Sequence, residues 1–166
     1  MHDYSATFAC YNNVAYTQKC MESLIKTEFP MDRLVVVDNN SQDDTRDYLH
    51  SVDDIHTIFN KNNLGCGTAW NQGILALQTE WTVIMNNDIL VSPGWIERLI
   101  DQAIANNLLV ASPAYIEGDS DYDFFGTVSQ HQVVMNGHER FGYANAICLL
   151  VHNSIWQKVC YFRAKP

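Results

Sequence analysis

A chain of 166 residues, 47% of them hydrophobic, has the size and composition of one globular domain with a sizeable core. A formal charge of -9, from 10 basic against 19 acidic side chains, excludes a general affinity for nucleic acid, since no basic stripe exists to neutralise phosphates. A phosphate-bearing ligand therefore needs a metal ion or a local cluster of donors.

Ala6 to Cys10 reads as a short strand that ends in the polar pair Asn12 and Asn13. Thr17, Cys20, Met21, Leu24 and Ile25 then recur at helical spacing, with an asparagine as the expected cap and Phe29-Pro30 as the stop. Leu34 to Val37 is continuous and β-branched, as a strand buried on both faces should be. "DNNSQDDT" follows as a turn into a helix from about Asp44 to His50.

A third strand is expected near Ile55 to Phe59, then the loop "NKNNLGCG" and a helix from about Thr68 to Leu77. Trp81 to Met85 is a fourth strand. Ser92-Pro93 predicts a cap and first-turn proline for a helix reaching about Ala105. Leu108 to Ser112 reads as another strand, and Ala146 to Val151 as a last one leading to a helix near Asn153. Between them, residues 115 to 142 read as a long excursion with a hairpin around "VVMNGHERF".

Strands alternating with helices predict an α/β domain with a mainly parallel sheet covered on both faces, one domain over residues 1–166. No apolar run approaches the roughly 20 residues that cross a bilayer, and no basic-then-apolar leader opens the chain. Five cysteines without a CxxC pair fit reduced, mostly buried thiols. The expectation is a cytoplasmic protein with no transmembrane segment.

In open α/β sheets ligands bind outside the carboxyl ends of the strands, where the strand-to-helix loops gather. "YNN", "DNNS", "NKNNLGCG" and "NND" each follow a strand directly and share that address. In "VIMNNDIL" a core strand breaks into Asn86, Asn87 and Asp88. A carboxylate on the rim of a rigid sheet can hold Mg2+ or Mn2+ as one protein ligand beside substrate phosphates, and the amides next to it add no charge to repel them.

"TFACYNNVAYTQKCMESLIKTEFPMDRLVVVDNNSQDDT" resembles the N-terminal signature of the GT-A glycosyltransferases of family 2: a strand, a Tyr-Asn turn, a helix ending T-x-x-P, and a strand ending VVDNxSxDxT. "NLGCGTAWNQGI" and "MNNDILVSPGWIERL" are similar to that family's glycine-asparagine segment and its DXD-type metal segment. The match returns at "GYANAICLLVHNSIWQKV".

The resemblance implies a Rossmann-like GT-A fold that binds a nucleotide-sugar donor, with UDP-sugar foremost, and a saccharide or glycoconjugate acceptor. It implies that Tyr11 and the backbone at Ala9 lie against the base, and that Asp38 accepts a hydrogen bond from base or ribose. Thr68 and Asn71 fall at donor contacts, although Trp70 stands where the family often has arginine. Asn86 falls at the ribose or a metal-bound water, Asn87 beside it in the nucleotide-sugar site, and Asp88 at the metal, Mn2+ or Mg2+.

The family's general base usually follows a "GxFDE" segment. Here "VCYFRA" puts Cys160 in place of the glycine and Arg163 and Ala164 in place of the acidic pair. The chain is therefore expected to be cut short on its C-terminal, acceptor side, or to take its base from Asp121, Asp123 or Glu139, none of which is assigned; nor are His131, His138 and His152 as metal ligands. A nucleotide-sugar-binding module without catalysis is the alternative. A dinucleotide-binding oxidoreductase fits poorly, because the third glycine of G-x-G-x-x-G would fall at Trp70.

Overall fold

A computed structural model describes residues 2–115, 144–159 and 161–162. Along the chain run β1 (Tyr4–Cys10), α1 (Val14–Lys26), a 3-10 turn (Met31–Arg33), β2 (Leu34–Asp38), α2 (Thr45–His50), β3 (His56–Phe59), α3 (Cys66–Leu77), β4 (Trp81–Met85), α4 (Trp95–Ala105), β5 (Val110–Ala111), β6 (Cys148–His152) and α5 (Ser154–Val159). The strands form one six-stranded sheet in the order β3-β2-β1-β4-β6-β5. The first four pair in parallel, and β6 runs antiparallel to both β4 and β5.

The continuous apolar strands are buried on both sides because helices cover both sides. Phe8, Leu34, Val36, Val83 and Met85 face Cys20, Met21 and Leu24 of α1, Leu49 of α2 and Ile96, Ile100 and Ala103 of α4. On the other face Val35 and Val37 meet Ala69 of α3, and Ile84 and Val151 meet Ile74, with Ile155 and Trp156 of α5 packed against them. Each fully buried Val, Leu, Ile, Phe or Met among them contributes roughly 1.5–3 kcal/mol relative to exposure.

β1 puts Ser5 and Thr7 on the α3 side, and both are buried. The reason is a close helix approach at Gly73, where a Cβ would lie 1.8 Å from Thr7 Oγ1 and 2.7 Å from its Cβ. The Ser5 hydroxyl finds Thr79 at 2.8 Å, whereas Thr7 Oγ1 is buried without a partner among the described residues.

Several local expectations change. Asn13 and Gly94, which precede α1 and α4, are both left-handed (φ 58 and φ 65), and neither helix has a side-chain cap. Asn13 turned this way does not cap, and the Val14 N–H donates instead to Asp43 Oδ2 at 3.0 Å. Ser92 contributes only its carbonyl, to the Trp95 N–H at 3.2 Å. α3 starts at Cys66 rather than Thr68, just after Gly65 turns at φ 80. The strand expected over 108–112 keeps two residues, Val110–Ala111.

Register decides which residues reach the functional edge. Strand order reverses on either side of β1, so the crevice favoured in open α/β sheets lies beyond the carboxyl ends of β1 and β4. Phe8 pairs with Met85 and Cys10 with Asp38, so Tyr11, Asn39 and Asn86 step out along one rim. His152 pairs with Trp81 at the opposite end of β4 and hydrogen-bonds Ser154 at 2.8 Å, far from Asp88. The hairpin expected at "VVMNGHERF" lies outside the described residues. Among the described residues no helix is long and apolar enough to cross a membrane.

Candidate functional site

The loops on the rim are stitched together mainly by their own asparagines. After β1, the Asn12 N–H donates to Ser41 Oγ at 2.8 Å and Asn12 Oδ1 accepts the Gln42 N–H at 2.7 Å. These bonds, with Val14 to Asp43, clamp the first loop to the second. The second loop is clamped to the third. Asn39 Nδ2 donates to Asn63 at 2.8 Å, while Asn39 Oδ1 accepts from Asn60 at 3.1 Å and from the Leu64 N–H at 2.9 Å. Asn60 and Gln72 then exchange two amide hydrogen bonds, each 2.9 Å.

Buried amides in a closed network satisfy one another and hold a backbone in one arrangement, because an unpaired member would cost about 1–3 kcal/mol. Asn39 and Asn60 are both buried. The polar clusters that mark loops in the sequence are here the mortar between loops.

Asp38 closes β2 and is fully buried at 0% exposure. Its Oδ1 accepts the Ser41 N–H at 3.0 Å, and its Oδ2 accepts Arg46 Nε at 2.8 Å. Arg46 also donates to the Asn60 carbonyl at 3.1 Å and lies 5.1 Å above the Phe59 ring. A ligand N–H would reach this carboxylate only where Arg46 or the Ser41 turn gives way. The sequence reading missed Arg46; the signal available was a cation in the first turn of the helix that follows the Asp38 loop.

Tyr11 stands at the rim, 49% exposed, and Ala9 is half-buried one residue short of the end of β1. Beneath them the Cys10 thiol is pushed up to about 12, first by burial and then by the charges of Asp38 and Asp43, so it is a neutral filler and not a nucleophile. Burial also acts to raise the Asp43 carboxyl, but the Thr45 hydroxyl and the Val14 and Thr45 amides outweigh it and hold the group below its ordinary value.

Beyond β4, α1 grips the "NND" turn. Asn87 Nδ2 donates to Thr17 Oγ1 at 3.1 Å, and the Cys20 thiol points to the Asn86 carbonyl at 3.9 Å. Asp88 is exposed, and its charge is felt at Cys20. Among the described residues no three His, Cys, Asp or Glu side chains cluster as a metal cage.

Thr68 is half-buried in the first turn of α3. Asn71, one turn on, has its carboxamide on the Phe162 backbone: Oδ1 accepts the Phe162 N–H at 3.0 Å and Nδ2 donates to its carbonyl at 2.7 Å. That leaves one amide N–H for any further partner. Trp70 packs on Phe162, ring centroids 5.5 Å apart. Asp121, Asp123, Glu139, His131, His138, Arg163 and Ala164 lie outside the described residues.

The family model described as Glycosyl transferase family 2 matches residues 5–163. Among curated relatives, the succinoglycan biosynthesis protein ExoO of Rhizobium meliloti is 30% identical over 111 residues, which is 66% of this chain and 32% of that protein. Glycosyltransferase GlyG of Streptococcus pneumoniae is 24% identical over 130 residues, 74% of this chain and 43% of that protein. The chain spans 29–36% of the length of the first curated relatives it matches.

Among solved structures, the mannosyltransferase PcManGT from Pyrobaculum calidifontis, in complex with GDP-Man and Mn2+, aligns with a TM-score of 0.72 at 15% identity, over 99% of this chain and 49% of that one. S. aureus TarS in complex with UDP aligns with a TM-score of 0.73 at 16% identity, over 99% of this chain and 51% of that one. At these identities the likeness establishes the fold, which is the GT-A arrangement.

Proposed function

The chain belongs to glycosyl transferase family 2, and from that membership we propose that it takes a sugar from a nucleotide-diphosphate donor, foremost a UDP-sugar, and passes it to a saccharide or glycoconjugate acceptor. A divalent cation, Mn2+ or Mg2+, serves at Asp88. The observation that carries this reading is the position of Asp88, exposed just past β4 at the reversal of strand order.

The donor set there suits such an ion. One carboxylate and the amide oxygens of Asn86 and Asn87 are hard oxygen ligands, and a small divalent ion that keeps waters and takes phosphate oxygens needs only one or two protein carboxylates. When bound, the cation supplies positive charge where the leaving diphosphate gathers negative charge. The rest is the work of the chain's own residues. The Tyr11 ring and the Ala9 backbone form the side of the site that takes the base, and Asp38, held by the Ser41 turn, offers its carboxylate to a base or ribose donor when the partly exposed Arg46 side chain swings off it. Thr68 and the remaining Asn71 N–H face the donor from α3, and the asparagine network keeps these loops from rearranging as the nucleotide arrives.

Support for a nucleotide-sugar donor also comes from the structural relatives, whose complexes hold GDP-Man with Mn2+, UDP and UDP-GlcNAc. The test is calorimetric titration with UDP, with and without Mn2+, on the natural sequence and on Asp88→Ala. A charge-assisted contact contributes about 1.5–3 kcal/mol, so Mn2+ should tighten binding by tenfold or more, and Asp88→Ala should abolish that gain. Equal affinity in all four titrations sinks the reading. Arg163 and Ala164, standing where the family carries its acidic pair, favour a second reading, a donor-binding module without turnover. Release of labelled sugar by this chain would rule it out.

A further inference from the structure

Thr17, Cys20 and Ser23 are buried on one flank of α1, small polar side chains where an amphipathic helix would place large apolar ones. Spaced three apart, they are neighbours along the helix, and a buried hydroxyl is costly unless it is hydrogen-bonded. All three reach one short segment, the turn that leaves β4. Thr17 Oγ1 accepts Asn87 Nδ2 at 3.1 Å, the Cys20 thiol points to the Asn86 carbonyl at 3.9 Å, and Ser23 Oγ accepts the Val91 N–H at 3.2 Å. Ser23 is itself aimed by its own proton, which goes to the Cys20 carbonyl at 2.7 Å.

That turn has little else to hold it. Among the described residues, the other hydrogen bond that ties residues 86–91 to the rest of the chain runs from the Asn86 N–H to the Ile147 carbonyl at 2.9 Å. Asp88 lies at the tip, exposed. The Ile89 amide is near enough to the Cys20 sulfur to act on its titration, so the thiol stands between the two ends of the tip, Asn86 and Ile89. An exposed tip opens readily unless its flanks are fixed, and a small divalent ion demands near-ideal oxygen geometry. The same helix begins directly after the Tyr11 turn, where its Val14 N–H is clasped by Asp43. One rigid element therefore meets the base side of the site at its first residue and the Asp88 turn along its flank.

We infer that Thr17 and Ser23 are positioning residues for Asp88: through their hydroxyls α1 fixes the turn over residues 86–91, and with it the place of a cation at Asp88 relative to a base held at Tyr11. This rests on the donor-and-cation reading above. Thr17 takes the nitrogen end of the Asn87 carboxamide, which turns the oxygen end to the rim, and Cys20 fills the space between the two hydroxyls.

The test compares the natural chain with Thr17→Val, which keeps the shape and loses the hydroxyl, with Thr17→Ser, which keeps the hydroxyl, and with Ser23→Ala. Tyr4→Phe, which loses a bond to Glu97 away from the donor loops, controls for a loss of stability alone. Each chain is titrated with UDP by calorimetry, with and without Mn2+, and hydrogen exchange at the Val91 amide is followed in the metal-free protein. The quantity read is the factor by which Mn2+ tightens UDP binding, about tenfold or more in the natural chain. Thr17→Val and Ser23→Ala should each cut that factor by about threefold or more, because small misplacements of a ligating group are costly. Thr17→Ser and Tyr4→Phe should keep it within about twofold, and Val91 exchange should accelerate in Ser23→Ala.

UDP binding weakened by the same factor with and without Mn2+ would make the two hydroxyls general supports of the fold and overturn the inference. So would faster Val91 exchange with an undiminished Mn2+ gain, or a gain that falls as far in Tyr4→Phe as in Thr17→Val. Should Ser23→Ala fail to fold, Thr17→Val against Thr17→Ser decides alone. A natural chain whose UDP binding ignores Mn2+ removes the cation reading itself, and the inference with it, before any variant is compared.

Discussion

Replacing Arg46 by methionine leaves the carboxylate of Asp38 buried with a turn amide as its remaining partner. In the native protein Arg46 Nε sits 2.8 Å from Asp38 Oδ2, with the aspartate side chain 0% and the arginine 38% exposed. Breaking a fully buried pair from one side costs about 3–5 kcal/mol. Because Arg46 keeps part of its surface in water, screening lowers that to about 2–3 kcal/mol. The lost hydrogen bond to the Asn60 carbonyl falls within the same figure. For a domain of this size that is a fall in Tm of about 4–12 °C.

Urea unfolding followed by tryptophan fluorescence reads the change directly. The decisive arm is the double variant Asp38→Asn with Arg46→Met, which removes the buried charge along with its partner. It should be less destabilised than the sum of the two single variants by 1 kcal/mol or more. Arg46→Lys should recover little, since an ammonium cannot bridge the Asp38 carboxylate and the Asn60 carbonyl as the planar fork does. Strict additivity, or an Arg46→Met variant within about 0.5 kcal/mol of the natural chain, would refute the placement of this pair.

Gly73→Ala should lower stability by about 1–3 kcal/mol in the same assay, because the Thr7 Cβ 2.7 Å from the new methyl cannot rotate away; Thr7→Ala in the background should recover part of the loss, and a neutral Gly73→Ala contradicts the close approach. The thiols of Cys10, Cys20 and Cys148 are buried and raised to about 12, whereas Cys66 is exposed. Brief maleimide treatment at pH 8 should therefore modify Cys66 first among these four, and peptide mass spectrometry showing Cys10 modified as fast would count against a closed site floor. The folded carboxyl of Asp43 lies below its ordinary 3.8, so its stabilisation is complete above about pH 4 and is lost as the pH falls through the lowered folded value. Urea midpoints should fall more steeply between pH 4 and pH 2 in the natural chain than in Asp43→Asn; parallel profiles refute the link between the first two loops.

The strand-helix alternation is legible in the sequence because both faces of the sheet are covered. Leu34 to Val37 and Trp81 to Met85 must then be apolar throughout, and such runs stand out. The direction of β6 is not legible, since an apolar run carries no arrow. Nor are the caps, because a capping asparagine and a left-handed one look alike in sequence, and the partner of Val14 comes from Asp43 in another loop. The site is legible as an address, through polar clusters after successive strands, but its wiring is not. That Asn39 meets Asn60 and Asn63, that Arg46 returns to Asp38, and that Asn71 reaches Phe162 depends on register and crossover, which spacing along one strand of text does not contain.

The most direct measurement is crystallographic: the chain with UDP and Mn2+, with anomalous difference density recorded at the manganese edge. A peak within bonding distance of the Asp88 carboxylate, shared with the diphosphate and lying beyond the ends of β1 and β4, is the predicted result. Manganese bound elsewhere, or a diphosphate that sits in the crevice without an ion at Asp88, would contradict the proposal that this carboxylate anchors the donor.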